Sequence, residues 1–169
     1  YHPILPILVD YNSAKRALPD IQLPASTSGF AEDARNQLIS GIKKFKETFG
    51  VKPKGIWPSE QCISPEILNM MAELGVKWTI TDEGILAKTI NKEFIRNFKG
   101  LIEDPYDICH SYKYVSGKNS INVLFRNSVL ANLIGFEYGN YEPHVAANDL
   151  YERIKTMQST LQASPDKHH

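Results

Sequence analysis

Between Lys54 and Thr81 the sequence runs through a short apolar segment, a polar loop, a capped helix and a second apolar segment, and this order constrains the fold more than any other feature. Lys54 to Trp57 is brief and apolar, as a buried strand is, and Pro58 closes it because proline has no N–H to give to a sheet ladder. Ser64-Pro65-Glu66 reads as an N-cap followed by proline at the first helical position. The helix is expected from Pro65 to about Leu74, with Leu68, Met71 and Ala72 on its inner face and Gly75 as its stop. Val76 to Thr81 then reads as another buried strand. Strand, loop, helix, strand is the signature of βα units around a parallel sheet.

The flanking segments fit the same α/β class. Ala34, Leu38, Ile42, Phe45 and Phe49 fall at helical spacing with charged residues between them, and Gly50 follows as a stop, which predicts one amphipathic helix packed on the sheet. Tyr112 to Val115 and Ile121 to Phe125, joined through Ser116 to Ser120, read as a hairpin or as neighbouring strands. A final helix is expected from His144 to Leu161. The apolar run Ile4 to Val9 at the start reads as a strand, with His2 before it. Asp10 to Phe30, with Pro19, Pro24, Ser26, Ser28 and Gly29 and no sustained period, reads as a long loop forming one wall of a cleft.

At 169 residues one domain with a sizeable core is the default. The formal net charge is zero with no long run of either sign, so there is no electrostatic footprint for nucleic acid or an anionic membrane. A neutral polymer or small molecule is the expected partner. Cys62 and Cys109 have neither the number nor the spacing of a disulfide framework or zinc site, and read as free thiols. No apolar stretch reaches the length of a membrane span, and no signal-peptide order opens the chain. Because it begins at Tyr1 and at once with an apolar run, the chain is expected to be cut from a longer one.

Within this frame, Gly55-Ile56-Trp57-Pro58-Ser59-Glu60 places a carboxylate on a strand-to-helix loop, where α/β barrels keep their chemistry. Trp57 offers a flat apolar face on which a sugar ring can stack; the plain alternative is a solvated Glu60 beside a core tryptophan. Asp82 and Glu83 follow Thr79-Ile80-Thr81, and Arg126 and Asn127 follow Val123-Leu124-Phe125, so these groups converge with Glu60 if the strands are parallel neighbours. For the two acids the alternative is helix initiation, near the positive end of a helix macrodipole. For Arg126 it is a structural ion pair with one of them. His2 either hydrogen-bonds a sugar hydroxyl or caps the strand. His110 and His144 have no second histidine at ligand spacing, which speaks against zinc, and neither a phosphate-cradling glycine loop nor a Gly-x-Ser-x-Gly elbow is present.

Four stretches taken in order, Tyr1-His2-Pro3-Ile4-Leu5-Pro6-Ile7-Leu8, Gly55 to Glu60, Trp78-Thr79-Ile80-Thr81-Asp82-Glu83, and Leu124-Phe125-Arg126-Asn127 through Ile134-Gly135-Phe136, resemble glycoside hydrolase family 57. The likeness is to its amylopullulanase and α-amylase branch and spans nearly the whole chain. The resemblance implies an incomplete seven-stranded (β/α) barrel that acts on α-glucans with retention of configuration, without a metal or other cofactor. On this reading Glu60 matches the catalytic nucleophile, Trp57 and His2 line sugar subsites, and Arg126 is a candidate to keep Glu60 ionised. Asp82 or Glu83 orients the others. Retention requires two carboxyl groups about 5–5.5 Å apart, one attacking and one protonating the leaving oxygen.

The departures from the family pattern carry expectations of their own. The family's acid/base is an aspartate on a strand downstream of the helix at His144 to Leu161, and the sequence is expected to lack that strand and the histidine-containing strand that opens the barrel. Asn127 and Asn132 stand where related sequences usually carry aspartate. The residues 1–169 are therefore expected to form part of a catalytic barrel, to be a poor catalyst alone and to need the remainder of the barrel as partner. The alternatives are a non-catalytic carbohydrate-binding or regulatory remnant and a metal-dependent deacetylase of similar shape, whose Asp/His ligand cluster cannot be assembled from these residues.

Overall fold

The computed structural model describes residues 3–23 and 29–163. The chain forms two compact units, one of Tyr1–Thr81 with Tyr112–Leu124, the other of Asp82–Ser111 with Phe125–His169.

A four-stranded sheet in the order β1-β2-β4-β3 organises the first unit, with β1 at Gly55–Ile56, β2 at Trp78–Asp82, β3 at Tyr112–Ser116 and β4 at Asn119–Arg126. β1 and β2 are parallel, Gly55 opposite Trp78 and Ile56 opposite Thr79, as a strand–helix–strand connection requires. β3 and β4 are the expected hairpin, antiparallel with Tyr112 opposite Val123 and Ser116 opposite Asn119. Gly117 turns it at a positive φ of 57°. β4 meets β2 through the Asn122 N–H, which donates to the Lys77 carbonyl at 3.0 Å.

One expectation fails at the start of the chain. The run Ile4 to Val9 is not a strand but the helix α1, Leu5–Val9, with Leu5 and Pro6 buried. Pro6 explains this: its missing N–H costs nothing in a first helical turn and would break a sheet ladder. Residues after α1 are also more ordered than a plain loop, since Asp10 accepts from the Asn12 N–H at 2.9 Å and starts a 3-10 turn at Tyr11–Arg16. The chain returns to α1 at Gly29, where a Cβ would stand 1.9 Å from the Val9 carbonyl oxygen, and the Phe30 N–H donates to Leu8 at 2.8 Å.

The predicted amphipathic helix is α2, Ala31–Phe49, stopped by Gly50 at φ 75°. Its apolar stripe is only half used: Ala34 and Leu38 are buried, whereas Phe45 and Phe49 remain exposed and pack on each other at 4.6 Å. α3, Pro65–Glu73, is capped by the Ser64 hydroxyl, which accepts from the Ile67 N–H at 3.4 Å. Ile67, Leu68 and Met71 are its buried face, while Ala72 is only half-buried. These side chains, with Leu5, Val76, Ile121 and Val123, form the core of this unit.

The second unit is mainly helical. It comprises α4 at Glu83–Thr89, α5 at Ser128–Asn132 continuing into a π turn at Leu133–Glu137, and α6 at Pro143–Gln162, the predicted final helix begun one residue early. Leu86, Leu101, Ile102, Ile108 and Leu133 are its buried apolar side chains. α6 is tied down by polar contacts: the Tyr138 hydroxyl donates to Asp149 at 2.6 Å, and Arg153 donates to Asp149 at 2.7 Å and to the Lys99 carbonyl at 2.5 Å.

Candidate active site

β1 ends at Ile56, and the next five residues carry the chain from the sheet to the cap of α3. Pro58 is buried and extended, at φ −70° and ψ 151°. Glu60 and Gln61 then both adopt the left-handed conformation, at φ 52° and 56°. For residues with a Cβ this costs roughly 1–2 kcal/mol each, so the surroundings must impose it. Several hydrogen bonds hold the turn in this shape. The Gln61 N–H donates to Pro58 at 2.9 Å, the Cys62 N–H donates to Ser59 at 3.1 Å, and the buried Thr81 hydroxyl donates to the Gln61 carbonyl at 2.7 Å. On the other side of the turn the Thr79 hydroxyl donates to the Ile56 carbonyl at 2.8 Å.

This turn sets out its side chains in a definite way. Glu60 is exposed, and Trp57 is 62% exposed, so the alternative of a core tryptophan is overturned; Gly55 instead lies against the indole of Trp78. Gln61 is buried, with its Oε1 lacking a hydrogen-bond partner among the described residues. The Cys62 thiol lies 3.7 Å from the Glu60 carbonyl oxygen, and burial first, then the charge of Glu60, pushes its pKa up. It is held as a neutral thiol, a poor nucleophile. Cys62 and Cys109 are both free.

In the second unit the remaining candidates pair as the plainer readings of the sequence had it. Asp82 caps α4, its Oδ1 accepting from the Gly84 N–H at 2.8 Å, and its Oδ2 accepts from Arg126 Nε at 3.0 Å. Glu83 opens α4 and is buried. One of its oxygens accepts from Arg96, from the Ser128 hydroxyl and from the Ser128 N–H at 3.2 Å, while the other is buried without a hydrogen-bond partner among the described residues. Arg96 is fixed in turn by donating to the Gly100 carbonyl at 2.6 Å. Asn127 caps α5 by accepting from the Leu130 N–H at 3.1 Å, a task asparagine performs as well as aspartate.

Two sets of residues escaped the sequence reading. Thr79 and Thr81 are both fully buried, and their only signal was two threonines at inward positions of a strand where aliphatic residues are usual. Arg96 and Ser128 had no signal at all, because the segment that carries Arg96 has no period. His2 lies outside the described residues. Among those residues there is no group of three or more His, Cys, Asp or Glu side chains able to hold a metal ion, and no helix is long and apolar enough to cross a membrane.

A carboxylate set on the loop after one of two parallel strands, with a capped helix behind it, is the arrangement of the barrel-type α/β enzymes. The glycosyl hydrolase family 57 model matches residues 1–167, and the chain belongs to that family. Its mixed α/β fold with a parallel strand pair is that of an incomplete (β/α)7 barrel. Among solved structures the chain is similar to the 4-alpha-glucanotransferase from Thermococcus litoralis, with a TM-score of 0.51 and 21% identity. The match covers 72% of this chain and 16% of that one. No curated protein matches the chain.

Proposed function

We propose that the protein is a retaining α-glucan hydrolase or transglycosylase of the amylopullulanase and α-amylase kind, with Glu60 as its nucleophile. The observation that carries this reading is the presentation of Glu60: an exposed carboxylate on a left-handed turn, two hydroxyls buttressing the turn, immediately after a parallel strand. Membership of family 57 and the α-glucan named in the description of the Thermococcus litoralis protein support the substrate class.

In the first step a Glu60 carboxylate oxygen attacks the anomeric carbon as the bond to the leaving oxygen breaks, and that oxygen takes a proton from a carboxylic acid. In the second, water or a sugar hydroxyl attacks the glycosyl ester and gives up its proton to the same acid, now a base. By resemblance the acid is an aspartate from the rest of the barrel. By resemblance, Trp57 supplies a stacking face for a sugar and His2 a hydroxyl contact.

α-Maltosyl fluoride tests the stereochemistry without an acid, since fluoride leaves unprotonated. Proton NMR should show α-maltose as the first product, and Glu60→Gln should slow its release by at least about 10³-fold. Initial β-maltose, or an undiminished rate in the variant, contradicts the proposal.

A further inference from the structure

The backbone at Glu60 is held in a conformation it would not choose, and the contact that closes it comes from the neighbouring strand. Thr81 lies at an inward position of β2, fully buried, with its hydroxyl 2.7 Å from the Gln61 carbonyl. Its hydrogen bond ties the backbone of the left-handed pair to the neighbouring strand. The backbone bonds to Pro58 and Ser59 are local to the turn and do not tie it to the sheet. Thr79, one step back on the same face, ties Ile56 before the turn, so β2 holds the peptide on both sides of Glu60.

We infer that Thr81 is a positioning residue for Glu60: its buried hydroxyl holds the Gln61 carbonyl, keeps Glu60 and Gln61 left-handed, and so fixes the direction of the Glu60 carboxylate. This rests on the nucleophilic role proposed for Glu60. The chemistry needs only one buried hydrogen bond. Without it the carbonyl is left dry, and the pair relaxes toward the right-handed region that residues with a Cβ prefer, which swings the carboxylate away. Misplacing a reacting group by about 1 Å costs on the order of 10²-fold in rate.

The test uses Thr81→Val, which keeps the shape and removes the hydroxyl, and Thr81→Ser, which keeps the hydroxyl. Each is incubated with a 5-fluoro maltosyl fluoride, and the rate of Glu60 labelling is followed against probe concentration. Thr81→Val is expected to lower the limiting labelling rate about 10- to 100-fold with half-saturation unchanged, at a temperature well below its melting point, and Thr81→Ser to restore the rate. A Thr81→Val protein that labels like the wild type overturns the inference. Amide hydrogen exchange gives a second reading that needs no activity. In the wild type the Gln61 and Cys62 N–H groups should exchange as slowly as those of β2, and in Thr81→Val at least about tenfold faster. If the wild type takes no label, the nucleophile assignment fails by itself, and exchange still decides the inference. Fast exchange at Gln61 and Cys62 in the wild type, or slow exchange there in Thr81→Val, overturns it.

Discussion

Glu60 and its neighbour occupy backbone conformations that carry a cost, and such costs gather where a chain must aim a side chain rather than merely bury one. Trp57 shows the same departure from plain folding, because an indole 62% exposed forgoes most of the burial that would reward it. Trp57→Ala is therefore expected to leave stability within about 0.5 kcal/mol, by thermal melting, and to weaken maltooligosaccharide binding roughly tenfold, by calorimetry. Gly55 differs in kind: a Cβ there would stand 2.0 Å from the Trp78 indole, so Gly55→Ala should push that ring aside. A loss of about 1–3 kcal/mol, with a shift in tryptophan fluorescence, would confirm the contact. The place of Glu60 and Trp57 on a strand-to-helix loop was legible in the sequence because a proline ended the strand just beside them. The threonines behind them were not, since a buried hydroxyl bonded to a distant carbonyl leaves no pattern along the chain.

Of the helices, α2, α3 and α6 were legible at the level of elements, and the failure at α1 has a physical cause. Gly50 and Gly75 marked the ends of α2 and α3 because both need positive φ, which glycine alone adopts freely. α1 was misread because a six-residue apolar run carries no period that separates strand from helix, and only the place of Pro6 decides. Helix α6 buries no side chain fully, so its docking leans on the Tyr138, Asp149 and Arg153 contacts. Arg153, then Tyr138, hold the Asp149 carboxyl below its usual range, while burial, then Asp149, push the Tyr138 phenol up to about 12. A depressed acid stabilises the fold above its unfolded value of about 3.9, and that share is lost as pH falls through the folded value. A raised phenol stabilises below its unfolded value of about 10, and its share is lost as pH rises from there toward 12. Asp149→Asn should accordingly melt below the wild type at pH 7, with the difference shrinking toward zero below about pH 4.

Each unit leaves large apolar side chains in contact with solvent: Phe49 is 64% and Val51 62% exposed in the first, Phe98 95% and Phe136 79% in the second. The protein is therefore expected to bind a hydrophobic dye and to associate as its concentration rises, by sedimentation; a monomer dark to the dye would contradict this. The α/β class and the parallel β1–α3–β2 unit were legible because strand and helix periods and a capped proline all fall within residues 54–81. The division into two compact units was not, since it depends on which distant segments pack together. Peptide mapping after reaction with a 5-fluoro maltosyl fluoride tests the nucleophilic role proposed for Glu60. If Glu60 is the nucleophile, the protein gains one maltosyl-derived ester, on Glu60 alone. A folded protein that gains no mass, or one labelled at another carboxylate, would contradict it.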